Sequence, residues 1–281
     1  MRLVTFSAGG PSKPGVVANQ RVIEVPYPDM VAFLEDGDRA RQSAEKLLGG
    51  PPAAAAHPIS AVRLHAPLPR PPKFICIGLN YRDHAIESGL PIPDTPTVFA
   101  KYSNAVIGPG DPIQIPKVSK EVDYEAELAF VIGRRSKHVP AGQWKNAVFG
   151  YTIVNDVSAR DFQRATTQWV IGKTFDTFGP MGPELVSADE IPDPHNLRIR
   201  CEVNGKVLQD SSTSQLIFRI PELVAYLSQV MTLEPGDIVT TGTPPGVGFA
   251  RKPPVFLQPG DDVVVKVEGL GELRNPCVET A

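Results

Sequence analysis

Apolar positions along this chain fall into short runs, and their spacing changes between the first fifty residues and the rest. Leu3 to Phe6, Gly15 to Ala18 and Arg21 to Val25 are stretches of β-forming residues broken by Gly, Pro and Asn-Gln, which predicts three short strands. Asp29 to Leu34 and Asp38 to Leu48 switch to helical spacing, the second through Ala40, Ala44, Leu47 and Leu48, and Gly49-Gly50 ends it. Pro51 to Pro58, alanines between prolines, predicts a linker, and we divide the chain into a small N-terminal domain over 1–70 and a larger domain over 71–281.

From Pro72 onward the texture is strand after strand. Phe74 to Gly78, Thr97 to Lys101, Val122 to Ile132, Phe149 to Asn155, Leu197 to Val203, Lys206 to Leu208, Ile238 to Thr241 and Val263 to Glu268 all read as β. Asn204-Gly205 between two of these runs predicts a two-residue hairpin turn, because both residues tolerate positive φ. Helices are expected over Asp83 to Ser88, Ala159 to Gln168 and Glu222 to Met231, the last with Pro221 at its first position. The 30 Pro and 24 Gly make up about a fifth of the 281 residues, above the roughly 12% of an average protein, and their even scatter adds turns between short strands. The pattern predicts a β-rich α+β fold.

Charge and composition narrow the partners. With 28 Lys+Arg against 31 Asp+Glu and a net charge of −3, the chain lacks the basic excess of proteins that bind nucleic acid or anionic membranes. A hydrophobic fraction of 42% with 21% charged residues fits a packed core, not disorder. Cys76, Cys201 and Cys277 are odd in number and show no C-x-x-C spacing, which argues against a disulfide framework or a thiolate zinc site. No apolar run reaches the roughly 18 residues that span a bilayer, and the first ten residues hold no signal-peptide core. We therefore expect a soluble cytoplasmic protein with a small-molecule substrate and neither a nucleic-acid nor a membrane partner.

The sharpest chemical feature lies in Val122 to Ile132. Strand alternation would put Asp123, Glu125 and Glu127 on one face and Val122, Tyr124, Ala126, Leu128, Phe130 and Ile132 on the core face. Three carboxylates in a row repel unless solvent or a cation compensates, so this is either a solvated sheet face or a site for a hard cation such as Mg²⁺, Mn²⁺ or Ca²⁺. A further acid, Asp156, ends the apolar run at Asn155 and is either a turn former or another ligand. Ser158 and Asp161 have the spacing of a capping box. Arg160 and Gln163 are i, i+3 neighbours, either a solvated pair or a pair that grips a carboxylate.

Three other segments carry candidate chemistry. His84 and Glu87 lie one above the other if the chain turns helical at Asp83, giving a surface ion pair or a general base oriented by a carboxylate. Gly89 with Pro91, Pro93 and Pro96 would let that segment move as a flap. Lys173 is either a snorkelling surface lysine or a charge aimed at an oxyanion. Thr241 to Gly248 is either a tight turn or a backbone cradle for a carboxylate, without the Lys-Ser/Thr ending of a P-loop. The chain has no G-x-S-x-G, no H-E-x-x-H and no G-x-G-x-x-G after a strand, so serine hydrolase, zincin and Rossmann readings have no support.

Over residues 72 to 280 the chain resembles the fumarylacetoacetate hydrolase family. The likeness rests on four motifs in order: Gly78-Leu79-Asn80-Tyr81, Asp123-Tyr124-Glu125-Ala126-Glu127-Leu128, Asn155-Asp156-Val157-Ser158-Ala159-Arg160-Asp161, and Thr241-Gly242-Thr243-Pro244-Pro245-Gly246-Val247-Gly248. The resemblance implies a mixed, rolled, β-rich sheet, usually with Mg²⁺ and usually as a homodimer. It implies metal ligation by Glu125, Glu127 and Asp156, substrate binding by Arg160, Gln163, Thr243, Tyr81 and Lys101, and catalytic roles for His84, Glu87 and Lys173. Residues 1 to 70 resemble the short cap of the small domain-containing members. The reaction implied first is hydrolysis of a carbon–carbon bond in a 2,4-dioxo acid, with water activated by His84 and Glu87. The alternative is tautomerase, isomerase or decarboxylase chemistry on oxaloacetate-like or 2-hydroxy-dienoate acids.

Overall fold

A strand has every residue buried only when both faces of its sheet are covered, and Ala126–Ile132 is buried throughout. In the computed structural model, which describes residues 1–50 and 56–280, this strand stands near the middle of a 12-stranded mixed sheet. Along the sheet the order is Ala56–Pro58, Arg21–Glu24, Lys13–Ala18, Arg2–Ser7, Gly179–Ser187, Val148–Asn155, Ala126–Ile132, Ile238–Thr240, Phe74–Gly78 and Thr97–Ala100, with Arg63–His65 and Val106–Ile107 pairing off the main path. Most neighbours are antiparallel, but Phe74–Gly78 runs parallel to Ile238–Thr240. A second, five-stranded sheet is ordered Lys206–Ser212, Arg198–Val203, Asp262–Val267, Gly271–Glu279, Ile113–Ile115.

The two faces of Ala126–Ile132 serve two apolar cores. Leu128, Phe130 and Ile132 join a cluster with Leu223, Val224 and Leu227 of the helix Ile220–Val230 and with Ile199, Val263 and Val265 of the second sheet. Ala129 and Val131 face the other way, toward Leu3, Val16, Phe33 and Leu34. The strands of the first 70 residues extend the main sheet, because Arg2 and Leu3 pair with Val186 and Leu185. Most of the proposed linker, residues 51–55, lies outside the described residues, whereas Ala56–Pro58 pairs with Arg21–Glu24.

Several expected elements are present with shifted ends. Asn204 and Gly205 have φ of 52° and 76° and close the hairpin with Val203 opposite Lys206. The second strand of that hairpin continues to Ser212, past the expected end at Leu208. The helix expected over Ala159 to Gln168 is a single turn, Arg160–Gln163. The Thr166 hydroxyl engages the backbone of Gln168 on both N–H and C=O, and such local bonds compete with the helix. Ser158 and Asp161 form no capping box. The Ser158 hydroxyl donates to Asp156 O, and the Asp161 carboxylate accepts from the Ser119 hydroxyl and the Lys120 and Phe162 amides. Gly179–Ser187 was not expected as a strand at all. Its Gly and Pro residues read as turns, yet it bridges Arg2–Ser7 and Val148–Asn155 across an irregular register.

Candidate active site

The register of one strand pair assembles the acids. Ala126–Ile132 lies antiparallel to Val148–Asn155 with Ala126 opposite Asn155. As the second strand leaves the sheet, Asp156 N donates to Glu125 O at 2.9 Å, and Glu125 N donates to Asn155 Oδ1 at 3.0 Å. One carboxylate oxygen from each of Glu125, Glu127 and Asp156 then lies within 4.8 Å of the other two. All three side chains are buried, so the solvated sheet face is excluded, and buried charges of one sign call for cations.

Asp123 does not continue the row. The expected strand over Val122 to Ile132 breaks at Tyr124-Glu125, and Val122–Asp123 pairs instead with Ser158–Ala159. Its carboxylate accepts from the amides of Tyr124 and Gly248, at 2.8 and 2.7 Å, and from Arg160 Nε at 2.9 Å. A side chain that takes the next residue's own N–H pulls the backbone off the ladder.

Three buried cations face these four acids. Lys173 Nζ lies 2.8 Å from Glu125 Oε2 and 2.9 Å from Asp156 Oδ2. Lys101 Nζ lies 2.5 Å from Asp156 Oδ1 and donates to Val157 O. Arg160 bridges Asp123 and Glu125, with 2.6 Å from Nη1 to Glu125 Oε1, and donates to Gln163 Oε1 at 2.9 Å. Burial alone would raise the Glu125 carboxyl, but Lys173 and Arg160 outweigh it and hold it at about 2. Burial likewise disfavours the charge on Lys173 and Arg160, and the facing carboxylates reverse that and keep both protonated. For Lys101 burial wins over its partner Asp156, and its ammonium titrates lower than usual.

Glu127 is the unbalanced member. Its Oε2 accepts from Gly242 N at 2.7 Å, and among the described residues no Lys, Arg or His pairs with it. Burial, with Asp156 and Glu125 close by, pushes its carboxyl well above the ordinary range. Gly242 has φ +92°, and a Cβ there would press on Asn80 Cβ at 2.9 Å, so a glycine is required for that amide to reach the acid. One more acid than cation, with a cluster of closely spaced oxygens, is a donor set that fits a hard divalent ion.

His84 is carried on the helix Arg82–Ser88, as its spacing predicted. His84 Nδ1 lies 3.0 Å from Glu87 Oε2, and Glu87 Oε1 accepts from Gly246 N at 2.8 Å. Asp83 meets the Ser211 hydroxyl at 2.5 Å, and Arg82 donates to Leu216 O at 2.8 Å. The helix is thereby fastened to the Gly-rich loop, to the hairpin strand of the second sheet and to the turn that follows that strand.

A cavity of about 260 Å³ connects these groups, with His84, Glu125, Glu127, Arg160, Gln163, Lys173 and Thr243 on its wall. Asp156 and Glu87 reach it through their partners. Tyr81 and Lys101 are enclosed and are not on the wall, and the Tyr81 hydroxyl has no partner among the described residues. Arg160 Nη2 is also buried and has no partner among the described residues. Lys173 is 2% exposed, which removes the snorkelling reading.

Sequence reasoning passed over three participants. Gln209 donates to Thr243 Oγ1 and Pro244 O and accepts from Ala126 N, tying the second sheet to the acid strand and the Gly-rich loop. Strand alternation past Leu208 would have turned it outward with Val207, and the register shift between Cys201 and Glu202 buries it instead. Phe249 lies 4.6 Å under the Arg160 guanidinium, and Trp169 forms part of the cavity wall. Neither has a local signal, because Trp169 is placed by a loop and Phe249 by the short 3-10 turn Gly248–Ala250.

Residues 73–278 match the family described as fumarylacetoacetate (FAA) hydrolase C-terminal. The chain is 46% identical to a mitochondrial oxaloacetate tautomerase of Xenopus laevis over 290 residues, covering 99% of this chain and 90% of that one. Among solved structures, a 5-carboxymethyl-2-hydroxymuconate delta-isomerase from Mycobacterium smegmatis superposes with TM-score 0.81 at 39% identity over all of both chains. A maleylpyruvate hydrolase from Sphingobium, solved with manganese(II) and pyruvate, does so with TM-score 0.84 at 33% identity, again over all of both chains. Profile, relatives and fold agree with the acid cluster on one conclusion: this chain is an enzyme that belongs to the fumarylacetoacetate hydrolase family.

Proposed function

We propose that this enzyme is a divalent-metal-dependent tautomerase that interconverts the enol and keto forms of oxaloacetate-like 2-oxo acids. The observation that carries the reading is the cavity wall, where Glu125, Glu127, the Arg160 guanidinium and the Lys173 ammonium stand together with one imidazole. The tautomerase name of relatives 44–47% identical over 99% of the chain favours this over the carbon–carbon hydrolysis we expected first.

Glu125, Glu127 and Asp156 would hold the cation, with Mg²⁺ our first choice and Mn²⁺ or Ca²⁺ as alternatives, and a cation there supplies Lewis-acid polarisation of the 2-oxo group. Ketonisation takes the proton from the C2 hydroxyl and adds one at C3, with no bond to water and no change in oxidation state. The Arg160 guanidinium and the Gln163 amide bind the substrate carboxylate. Lys173 stabilises negative charge as it develops on the C2 oxygen. His84, whose Nδ1 is engaged by Glu87, exchanges the proton at C3 through Nε2.

Hydrolysis is the second reading, favoured by one observation: an oriented imidazole–carboxylate pair is also a base for water. Product analysis separates the two. Oxaloacetate and a panel of 2,4-dioxo acids are assayed with Mg²⁺, Mn²⁺ and EDTA. Tautomerisation is seen as loss of enol absorbance without fragmentation, whereas hydrolysis yields pyruvate plus a new carboxylic acid. Activity that survives EDTA would overturn both.

A further inference from the structure

Oxaloacetate is polar at both ends, yet much of the cavity wall is apolar, although Ser88 and Arg164 also lie on it. Ile77, Leu79, Leu90, Phe99 and Trp169 are among the residues that line it. The Phe99 and Trp169 rings meet edge to face at 5.5 Å, and Lys173 Nζ sits 5.0 Å from the Phe99 ring centre. The aromatic wall therefore begins beside the ammonium that faces the reacting oxygen.

Two local features hold this wall in place. Gly78 lies under Trp169, and a Cβ at that position would run into the indole ring. Leu79 has φ +46°, a left-handed conformation that leucine rarely adopts and that persists only where the surroundings enforce it. Leu90 closes the wall from the segment after the His84 helix and is 52% exposed, so this end opens toward solvent and accepts an extended substituent.

Resting on the tautomerase reading above, we propose that the site also takes 2-oxo acids with an aromatic group on C3, arylpyruvates, whose ring stacks against Phe99 and Trp169 while the 2-oxo acid end lies against Arg160 and Lys173. The chemistry is unchanged: the enol hydroxyl proton leaves, C3 gains a proton, the C2–C3 double bond becomes single and the C2–O bond becomes a carbonyl. Aromatic rings prefer edge-to-face and offset contacts, and this pair already meets edge to face.

Phenylpyruvate and oxaloacetate are the probes. With the Mg²⁺-loaded enzyme, loss of enol absorbance is expected to be accelerated for both. In Trp169→Ala, and separately in Leu90→Glu at the exposed rim, the ratio of kcat/KM for phenylpyruvate to that for oxaloacetate is expected to fall at least tenfold. The chain has two tryptophans, so Trp144→Phe leaves Trp169 as the only indole, and its fluorescence should be quenched by phenylpyruvate at concentrations near KM. If oxaloacetate is turned over while phenylpyruvate ketonises at the uncatalysed rate and quenches nothing, the proposal is overturned and the tautomerase reading stands. If neither enol is accelerated but phenylpyruvate quenches Trp169, the tautomerase reading fails and aromatic recognition stands. An unchanged specificity ratio in both variants overturns the proposal.

Discussion

On the five-stranded sheet, Arg198 and Arg200 share Asp210 and Arg274 meets Asp262, at 2.8 to 3.0 Å and on the outer surface. At the end of the long sheet, Lys101, Arg160 and Lys173 meet Asp156, Asp123 and Glu125 at 2.5 to 2.9 Å, with almost no access to water. Contacts of the same length mean different things in the two places. A surface pair gains little, because water and salt screen it and two long side chains must be ordered. A buried pair is weakly favourable as a unit, but removing one partner strands the other charge. The outer row is replaceable, whereas the inner cluster is a coupled set whose excess negative charge and unpaired guanidinium nitrogen give it something to bind.

The largest effect expected from this contrast is on activity. Glu127→Gln removes the acid that has no cation of its own, and a loss of several kcal/mol of Lewis-acid stabilisation corresponds to a rate reduction on the order of 10³-fold. The check is kcat at saturating Mg²⁺ beside a metal-binding titration, and a variant that binds metal and turns over normally would break the assignment. His84→Ala is expected to lower the tautomerisation rate by about 10²- to 10⁴-fold, the span of general acid–base catalysis, with metal affinity retained. Glu87→Gln should lose less, since His84 keeps its place on the helix.

Next comes stability. Lys101→Met leaves Asp156 with one cation instead of two in a site closed to water, and a cost of about 3 to 5 kcal/mol is expected in denaturant unfolding. EDTA treatment should lower the thermal midpoint, because an ion bound at a hundred times its dissociation constant adds about 2.7 kcal/mol to the native state. The smallest effect belongs to the outer row: Arg274→Ala should leave the melting midpoint unchanged within error. Should Arg274→Ala destabilise the protein as much as Lys101→Met, the distinction between the two rows would collapse.

What could be read without coordinates follows from how local each signal is. The alternation in Ala126 to Ile132, the hairpin at Asn204-Gly205 and the helix that brings His84 over Glu87 depend on residues a few positions apart, and each is present. Gly179–Ser187 escaped, because its prolines and glycines carry turn signals that the neighbouring strands override. The single-turn helix at Arg160 was overestimated for the complementary reason: the Thr166 hydroxyl binds the backbone of Gln168, a preference that a periodic pattern does not reveal.

The sequence by itself determined the residue types of the site and its family, since Glu125 and Glu127 sit two apart in the chain and each of the four motifs is contiguous. Only the tertiary structure decided that Asp156 joins them while Asp123 does not, that Lys101 and Lys173 point inward, and that Trp169 and Phe99 line the cavity. Those outcomes depend on strand register and loop closure between residues far apart in the chain. Burial then sets their charge states, because a carboxylate without water must find its counter-charge in whatever the fold brings beside it.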